Sequence, residues 1–397
     1  MSEPVPLTQH APRRTGLSVL ALGFRPFFLA AGVAAILLVL LWLGMLTGRV
    51  PQPAYLAGPA WHAHEMLFGY LAAVIAGFLL TAVRNWSGID TPTGAALAAL
   101  VLLWLSARLL LWVDLPPLVP ALVDLAFFPA LALALRRPLW SSPNPVNRVF
   151  LVLFASMTLA SALVHLDVLG LLPGGAARGH RLMLDLVILT MLLVAGRVMP
   201  FFTERGITGA RPRTIPIVEQ LTFITAVGLL FADLIQPNGP FAGTLAIALG
   251  LILLARIAGW HDRRVWITPM LTVLYLGLLW LAAGLILDGL PAFTDLPPRG
   301  ALHTLTIGAI GVVTLGMMAR VSVGHTGRPM QAARLTILAF ALINLSAALR
   351  GLGPLMVPSA YHSWLMGSGL CWVIAFGLFL WVHAPMLTRP RPDGRPG

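Results

Sequence analysis

Hydrophobic runs of about 18 to 25 residues recur along the whole chain, and each is long enough, at about 1.5 Å per residue, to cross a hydrocarbon core of about 30 Å. About twelve such spans are legible, at 22–46, 63–83, 93–113, 116–135, 148–169, 181–199, 216–235, 241–260, 267–287, 302–320, 334–351 and 363–386. In lipid every backbone N–H and C=O must be paired within the protein, which leaves helices or closed barrels. The runs are continuously apolar rather than alternating, and this excludes the barrel. With 10% charged residues and a mean hydropathy of +0.88, and with short connections between the spans, no soluble domain is expected. The predicted fold is therefore an all-α integral membrane protein with about twelve transmembrane helices in one bundle. It divides into an N-terminal arm (1–21), a polytopic domain (22–386) and a disordered tail (387–397) rich in proline and arginine. The first span is too long for the apolar core of a signal peptide and is read as a mature helix.

The formal charge of +12 comes from arginine alone, since the chain has no lysine, and its distribution argues for topology rather than nucleic-acid binding. With the N-terminus inside, 20 of the 26 arginines fall on inside segments or adjoining helix ends, among them Arg13, Arg14, Arg25, Arg84, Arg197, Arg256, Arg320 and Arg395. Arg49, Arg178, Arg181, Arg299 and Arg350 fall on the other side, and Arg108 lies within the outer part of helix 3. The excess predicts both termini in the cytoplasm.

That orientation places His62, His64, His180, His303 and His362, each at the start of an even-numbered helix, at the outer face, with His165 near the outer end of helix 5. His261, His325 and His383 fall toward the inner side, and His10 in the arm. Neutral imidazole is a common ligand for haem iron and copper, and a bundle can supply it from several helices around one cavity. Singly, each histidine equally suits an interfacial anchor. The densest stretch is Trp61-His62-Ala63-His64-Glu65-Met66. Residues two apart on a helix point about 200° from each other, so His62 and His64, if both are helical, do not easily chelate one ion; they suit two different centres, or only His64 faces the interior with His62 at the helix entry, or one of them binds a backbone carbonyl. His62 and Met66 share a face at i, i+4, offering a thioether beside an imidazole.

His64, His180 and His303 are the leading ligand candidates, followed by His62 and His362, with Met66 as a soft copper ligand. Glu65 and Asp185 are candidates for orienting a ligand or carrying a proton, since carboxylates inside a membrane are costly without a partner or a water path. Arg108 can neutralise Asp124 across the turn between helices 3 and 4. His180 to Arg197 and His303 to Arg320 are each 17 residues, putting imidazole at one face and guanidinium at the other. Gly69, Ala73 and Gly77, and later Gly308, Gly311 and Gly316, form small-residue stripes that suit close helix packing, or space for a flat porphyrin. The single cysteine, Cys371, excludes a disulfide and a Cys-x-x-Cys-His haem attachment, so any haem is non-covalent. No phosphate-binding loop, dinucleotide fingerprint or His-Glu-x-x-His protease motif is present.

Four stretches carry a family resemblance: Gly23-Phe24-Arg25-Pro26-Phe27-Phe28; Trp61 to Met66 continuing through Ala76-Gly77-Phe78-Leu79-Leu80-Thr81-Ala82-Val83 to Asn85-Trp86; Gly196-Arg197-Val198-Met199-Pro200-Phe201-Phe202-Thr203; and His303 through Arg320 to Gly324-His325-Thr326-Gly327-Arg328-Pro329. In these the chain resembles the NnrS family of bacterial inner-membrane proteins, departing where Arg84 stands in place of the usual proline. The resemblance implies a multi-pass protein with haem (b-type) and copper. It also implies a part in nitric oxide metabolism and resistance to nitrosative stress, with nitric oxide or a related small molecule and an electron donor as partners. It assigns no ligands. A weaker similarity links the chain to the catalytic subunit of haem-copper oxidases, but helix 10 has one histidine where His-x-His is expected, and no His-His pair follows helix 6. Redox turnover, metal-linked sensing and ligand sequestration all remain open. So do two rivals: a transporter for a metal, haem or small anion, and a protein that passes metal to another enzyme.

Overall fold

The computed structural model describes residues 17–394, apart from 238, 297, 298 and the side chain of 299. His10, Arg13, Arg14, Arg395 and the side chain of Arg299 thus lie outside the described residues. The apolar runs fold as helices, which pair their backbone groups internally. Among the described residues eleven helices are long and apolar enough to span a membrane, and a shorter apolar one makes the twelfth. In chain order they are α1 (Phe24–Leu46), α2 (Gly58–Ser87), α3 (Gly94–Leu110), α4 (Leu118–Trp140), α5 (Pro145–Val168), α6 (Gly175–Gly206), α7 (Pro216–Ile235), α8 (Pro240–Trp260), α9 (Pro269–Ala292), α10 (Gly300–His325), α11 (Arg334–Met356) and α12 (Pro358–Thr388). No strand occurs among the described residues.

The apolar windows of α2 and α10 are 83% and 72% buried, the highest of the set, whereas α1 and α12 reach only 39%. Helices α2 and α10 therefore form the centre of the bundle and the others present a face to lipid. Short stripes of glycine allow this crowding. A Cβ on Gly77 would sit 2.8 Å from the Phe28 ring, one on Gly308 2.9 Å from Trp280, and one on Gly311 2.6 Å from Trp372. At these three positions neighbouring rings fill the stripes, which serve helix packing.

Both central helices change pitch just after a histidine. Glu65–Leu71 follows His64, and Thr304–Gly311 follows His303, as π-helix; a third π segment, Ala348–Leu352, carries Arg350 in α11. Each π turn holds an extra residue, which rotates the rest of the helix relative to its first turns, and such segments are frequent at functional sites. In α2 the backbone compensates through Trp104, whose Nε1–H donates to the Gly69 carbonyl at 2.9 Å.

The Gly-Phe-Arg-Pro stretch at the start of α1 has a structural role. Arg25, fully buried, donates to the carbonyls of Met386, Leu387 and Arg389 at 3.3, 3.0 and 2.8 Å, so a guanidinium closes the C-terminal end of α12. Gly23 lets α1 lie against Leu80, whose Cβ would be 2.3 Å from a Cβ at Gly23. These contacts put the beginning of α1 and the end of α12 at the same end of the bundle. The segment expected to be a disordered tail continues α12 to Thr388, and Arg391 then donates to the His325 carbonyl at 3.0 Å. Arg84, just past the second expected span, lies in the last turn of α2 and pairs with Asp90 at 2.8 Å.

Candidate functional site

At the opposite end of the bundle, the starts of α2, α6 and α10 converge with the end of α5. Helix α2 begins at Gly58, whose φ of +62° favours glycine, with Pro59 in the first turn. Trp61 anchors this turn, fully buried, edge-on to Trp112. The next two histidines then diverge, as their spacing requires. The His62 ring stacks on Trp42 of α1, with centroids 4.8 Å apart, while His64 stacks on Phe68 one turn on, also at 4.8 Å.

His64 faces a fully enclosed polar cluster. Asp124 of α4 lies 3.4 Å from its Nε2 and accepts from His165 Nε2 at 2.9 Å and Ser161 Oγ at 3.0 Å, both on α5. Its other oxygen receives Arg108 of α3, whose Nη1 also donates to Glu65 Oε1 at 2.9 Å. The Tyr55 hydroxyl lies 2.7 Å from His165 Nδ1. Pro129 supplies no N–H to the Leu125 carbonyl, and α4 is interrupted just after Asp124. These contacts give a consistent proton assignment, in which Tyr55 donates to His165, and His165 donates to Asp124. His64 is then left over, with neither ring nitrogen hydrogen-bonded although both are buried. Donor atoms of His64, Asp124 and His165 all lie within 4.8 Å of one another.

The formal charges of this cluster do not cancel. Glu65 and Asp124 supply two carboxylates against the single guanidinium of Arg108, leaving one formal negative charge in a buried site beside two imidazoles. Gly69 makes the arrangement sterically feasible, because a Cβ there would lie 3.0 Å from Glu65 Oε2 and 3.2 Å from Arg108.

His62 opens onto a different space, a cavity of about 430 Å³ between α1, α2, α6, α9, α10, α11 and α12. His62, Met66, His180 and His303 line it together with Trp42 and Trp372, and Arg181, Asp288 and Arg350 supply its charged groups. His62 Nδ1 and His180 Nε2 are buried without a hydrogen-bond partner. The two sites adjoin, since the His64 and His180 rings are 6.1 Å apart.

The sequence-derived candidates thus divide. His62, Met66, His180 and His303 reach the cavity, and His64 and Glu65 the enclosed cluster. Asp185 belongs to a third group, in which Asp185, Asp233 and Asp288 surround Arg181, with Arg181 Nε 3.3 Å from Asp185 and Nη2 2.8 Å from Asp288. His362 is exposed at the start of α12 and lines neither site. His165 and Tyr55 were absent from the leading candidates. His165 shows in the sequence only as a histidine near a span's end, and Tyr55 sits in a connecting loop with no pattern around it.

Nearly the whole chain, residues 18–391, matches the family model described as NnrS protein. The chain belongs to the NnrS family. No curated protein matches it. Membership connects this NnrS protein with the response to nitric oxide, and the matched span contains every side chain of both sites. The family is also associated with metal and haem binding, which the buried His64–Asp124–His165 group suits in kind.

Proposed function

We propose that this NnrS protein is a bacterial inner-membrane haem- and copper-binding protein that handles nitric oxide or a derived species, with both centres toward the periplasmic end of the bundle. The observation that carries the reading is the set of buried imidazole nitrogens without hydrogen-bond partners, on His62, His64 and His180, at two adjoining sites. A buried polar atom left bare costs about 1–3 kcal/mol, and a metal bond removes that cost.

The two sites differ in the group they fit. The cavity falls within the roughly 300–1,000 Å³ of small-molecule and cofactor pockets and is mostly apolar and aromatic, which suits a porphyrin. His62, His180 and His303 would hold a haem there, with Arg350 as a cation for its carboxylates. The enclosed cluster has two imidazoles, a carboxylate and an uncompensated negative charge, a donor set for a copper ion. His64, His165 and Asp124 would hold it, whereas the Met66 thioether lies on the haem cavity and not on this cluster. When bound, haem and copper supply redox-active metal to which nitric oxide can coordinate. The protein's own part is to orient and insulate. Arg108 fixes Glu65 and Asp124, Tyr55 holds the His165 ring through Nδ1 and leaves Nε2 for the ion, and Trp42 and Phe68 hold the His62 and His64 rings apart.

Purification in detergent followed by an optical spectrum and elemental analysis tests the reading. A Soret band and copper are expected; well-folded protein with neither defeats it. Alanine at His62 or His180 is expected to lower haem content with copper retained, and alanine at His64 or His165 the reverse.

A further inference from the structure

A second chamber of about 90 Å³ lies deeper in the bundle, where α2, α6, α9 and α10 face one another beside Phe28 of α1. Its wall on α6 starts at Val187, seven residues beyond His180, or about 10 Å along the helix. Apolar side chains line it almost entirely, including Val74, Ile75, Leu274, Leu278 and Met317. The only hydroxyls in the lining are those of Thr190 and Thr314. Both are turned inward to their own helices, Thr190 donating to the Leu186 carbonyl at 2.7 Å and Thr314 to the Ile310 carbonyl at 2.6 Å. Water needs two to four polar partners to reside in a cavity, whereas an apolar chamber stays dry and takes up apolar guests.

The chamber has two neighbours. On one side Phe78, Met191, Val194 and Val198 are only half-buried, so this wall borders the lipid. On the other, Leu71 lines both the chamber and the histidine-lined cavity. Beside it the Tyr70 hydroxyl, from the cavity lining, donates to Thr314 of the chamber lining at 2.6 Å, fixing the partition. The partition is the end of the π segment that begins after His64.

We propose that this chamber takes up a small uncharged gas molecule from the bilayer and passes it across the Leu71 partition into the histidine-lined cavity. A weakly polar diatomic concentrates in hydrocarbon rather than water, so the bilayer is its natural source. The identity of the gas as nitric oxide rests on the function proposed above; the chamber's affinity for an apolar guest does not.

Two measurements on the full-length protein test it. The structure under xenon pressure is expected to show xenon inside the chamber; an ordered water, an acyl chain or no density there would overturn the proposal. In the second, nitric oxide is photolysed from the metal-loaded protein and its rebinding timed. Ala195→Phe, which fills the chamber, is expected to slow bimolecular rebinding about tenfold, equivalent to about 1.4 kcal/mol of added barrier, with an unchanged absorption spectrum. Leu71→Ala, which opens the partition, is expected to speed it. Unchanged rates in both variants would refute passage through the chamber. Should the protein form no nitric oxide complex, the functional reading fails, and the xenon result still decides whether the chamber takes an apolar guest.

Discussion

Arg108 holds two buried carboxylates at once, and its removal separates electrostatics from metal binding at the enclosed cluster. In Arg108→Leu, Glu65 and Asp124 keep their positions beside each other with no guanidinium between them. Breaking a buried ion pair by deleting one partner costs about 3–5 kcal/mol, and here two acceptors lose their donor, so the upper part of that range applies. In Asp124→Asn, Arg108 still pairs with Glu65, and the formal charge of the cluster falls from minus one to zero. The amide keeps one acceptor oxygen, toward Arg108, and turns its NH2 toward His165 and Ser161, which lose their charge-assisted acceptor. Charge-assisted bonds contribute about 1.5–3 kcal/mol against about 1 for neutral ones, so a net loss of about 2 kcal/mol is expected after relief of the excess charge. Thermal unfolding in detergent should therefore rank wild type above Asp124→Asn above Arg108→Leu. Copper content ranks differently. Asp124→Asn removes a ligand and should weaken copper by more than the 10- to 100-fold typical of an outer partner, with the haem spectrum intact. Full copper occupancy in Asp124→Asn would refute the assignment of copper to this cluster. Equal stability of the two variants would refute the charge argument.

Single contacts give further outcomes. Gly69→Ala forces a methyl against Glu65 and Arg108 and should cost about 1–3 kcal/mol, read as a lower unfolding midpoint together with reduced copper retention. His362→Ala should leave both metal contents unchanged by elemental analysis, since His362 is exposed and outside both sites, whereas His180→Ala should lower haem. Arg25→Ala strips three carbonyls at the end of α12 of their donor and should destabilise by at least about 2 kcal/mol, while the absorption spectrum of the folded fraction stays normal. A copper chelator that enters the bundle should remove copper and leave the Soret band in place.

The helices were legible because a span is a local property: the run beginning at Phe24 must pair its own backbone wherever its neighbours are. The divergence of His62 and His64 was equally local, arising from two positions on one helix. The pairing of Arg108 with Asp124 was readable because a short turn joins their helices. By contrast, the pitch change after His64 and His303 left no periodic trace, since a single extra residue in a uniformly apolar run alters no pattern. The grouping of Asp185 with Asp233 and Asp288 around Arg181 joins three helices whose mutual rotation is set by packing.

The sequence by itself determined that the chain is a bundle of membrane-spanning helices and that imidazoles gather where several of them start. Both are consequences of the bilayer, which imposes length, polarity and the position of polar ends on each helix separately. Only the tertiary structure decided which histidines come together, with His62, His180 and His303 on one cavity, His165 beside His64, and His362 at neither place. Those outcomes depend on how far each helix is rotated about its axis. In a uniformly apolar span that rotation is fixed by the shapes of neighbouring side chains, such as Phe28 against Gly77 or Trp372 against Gly311, and no single segment contains that information.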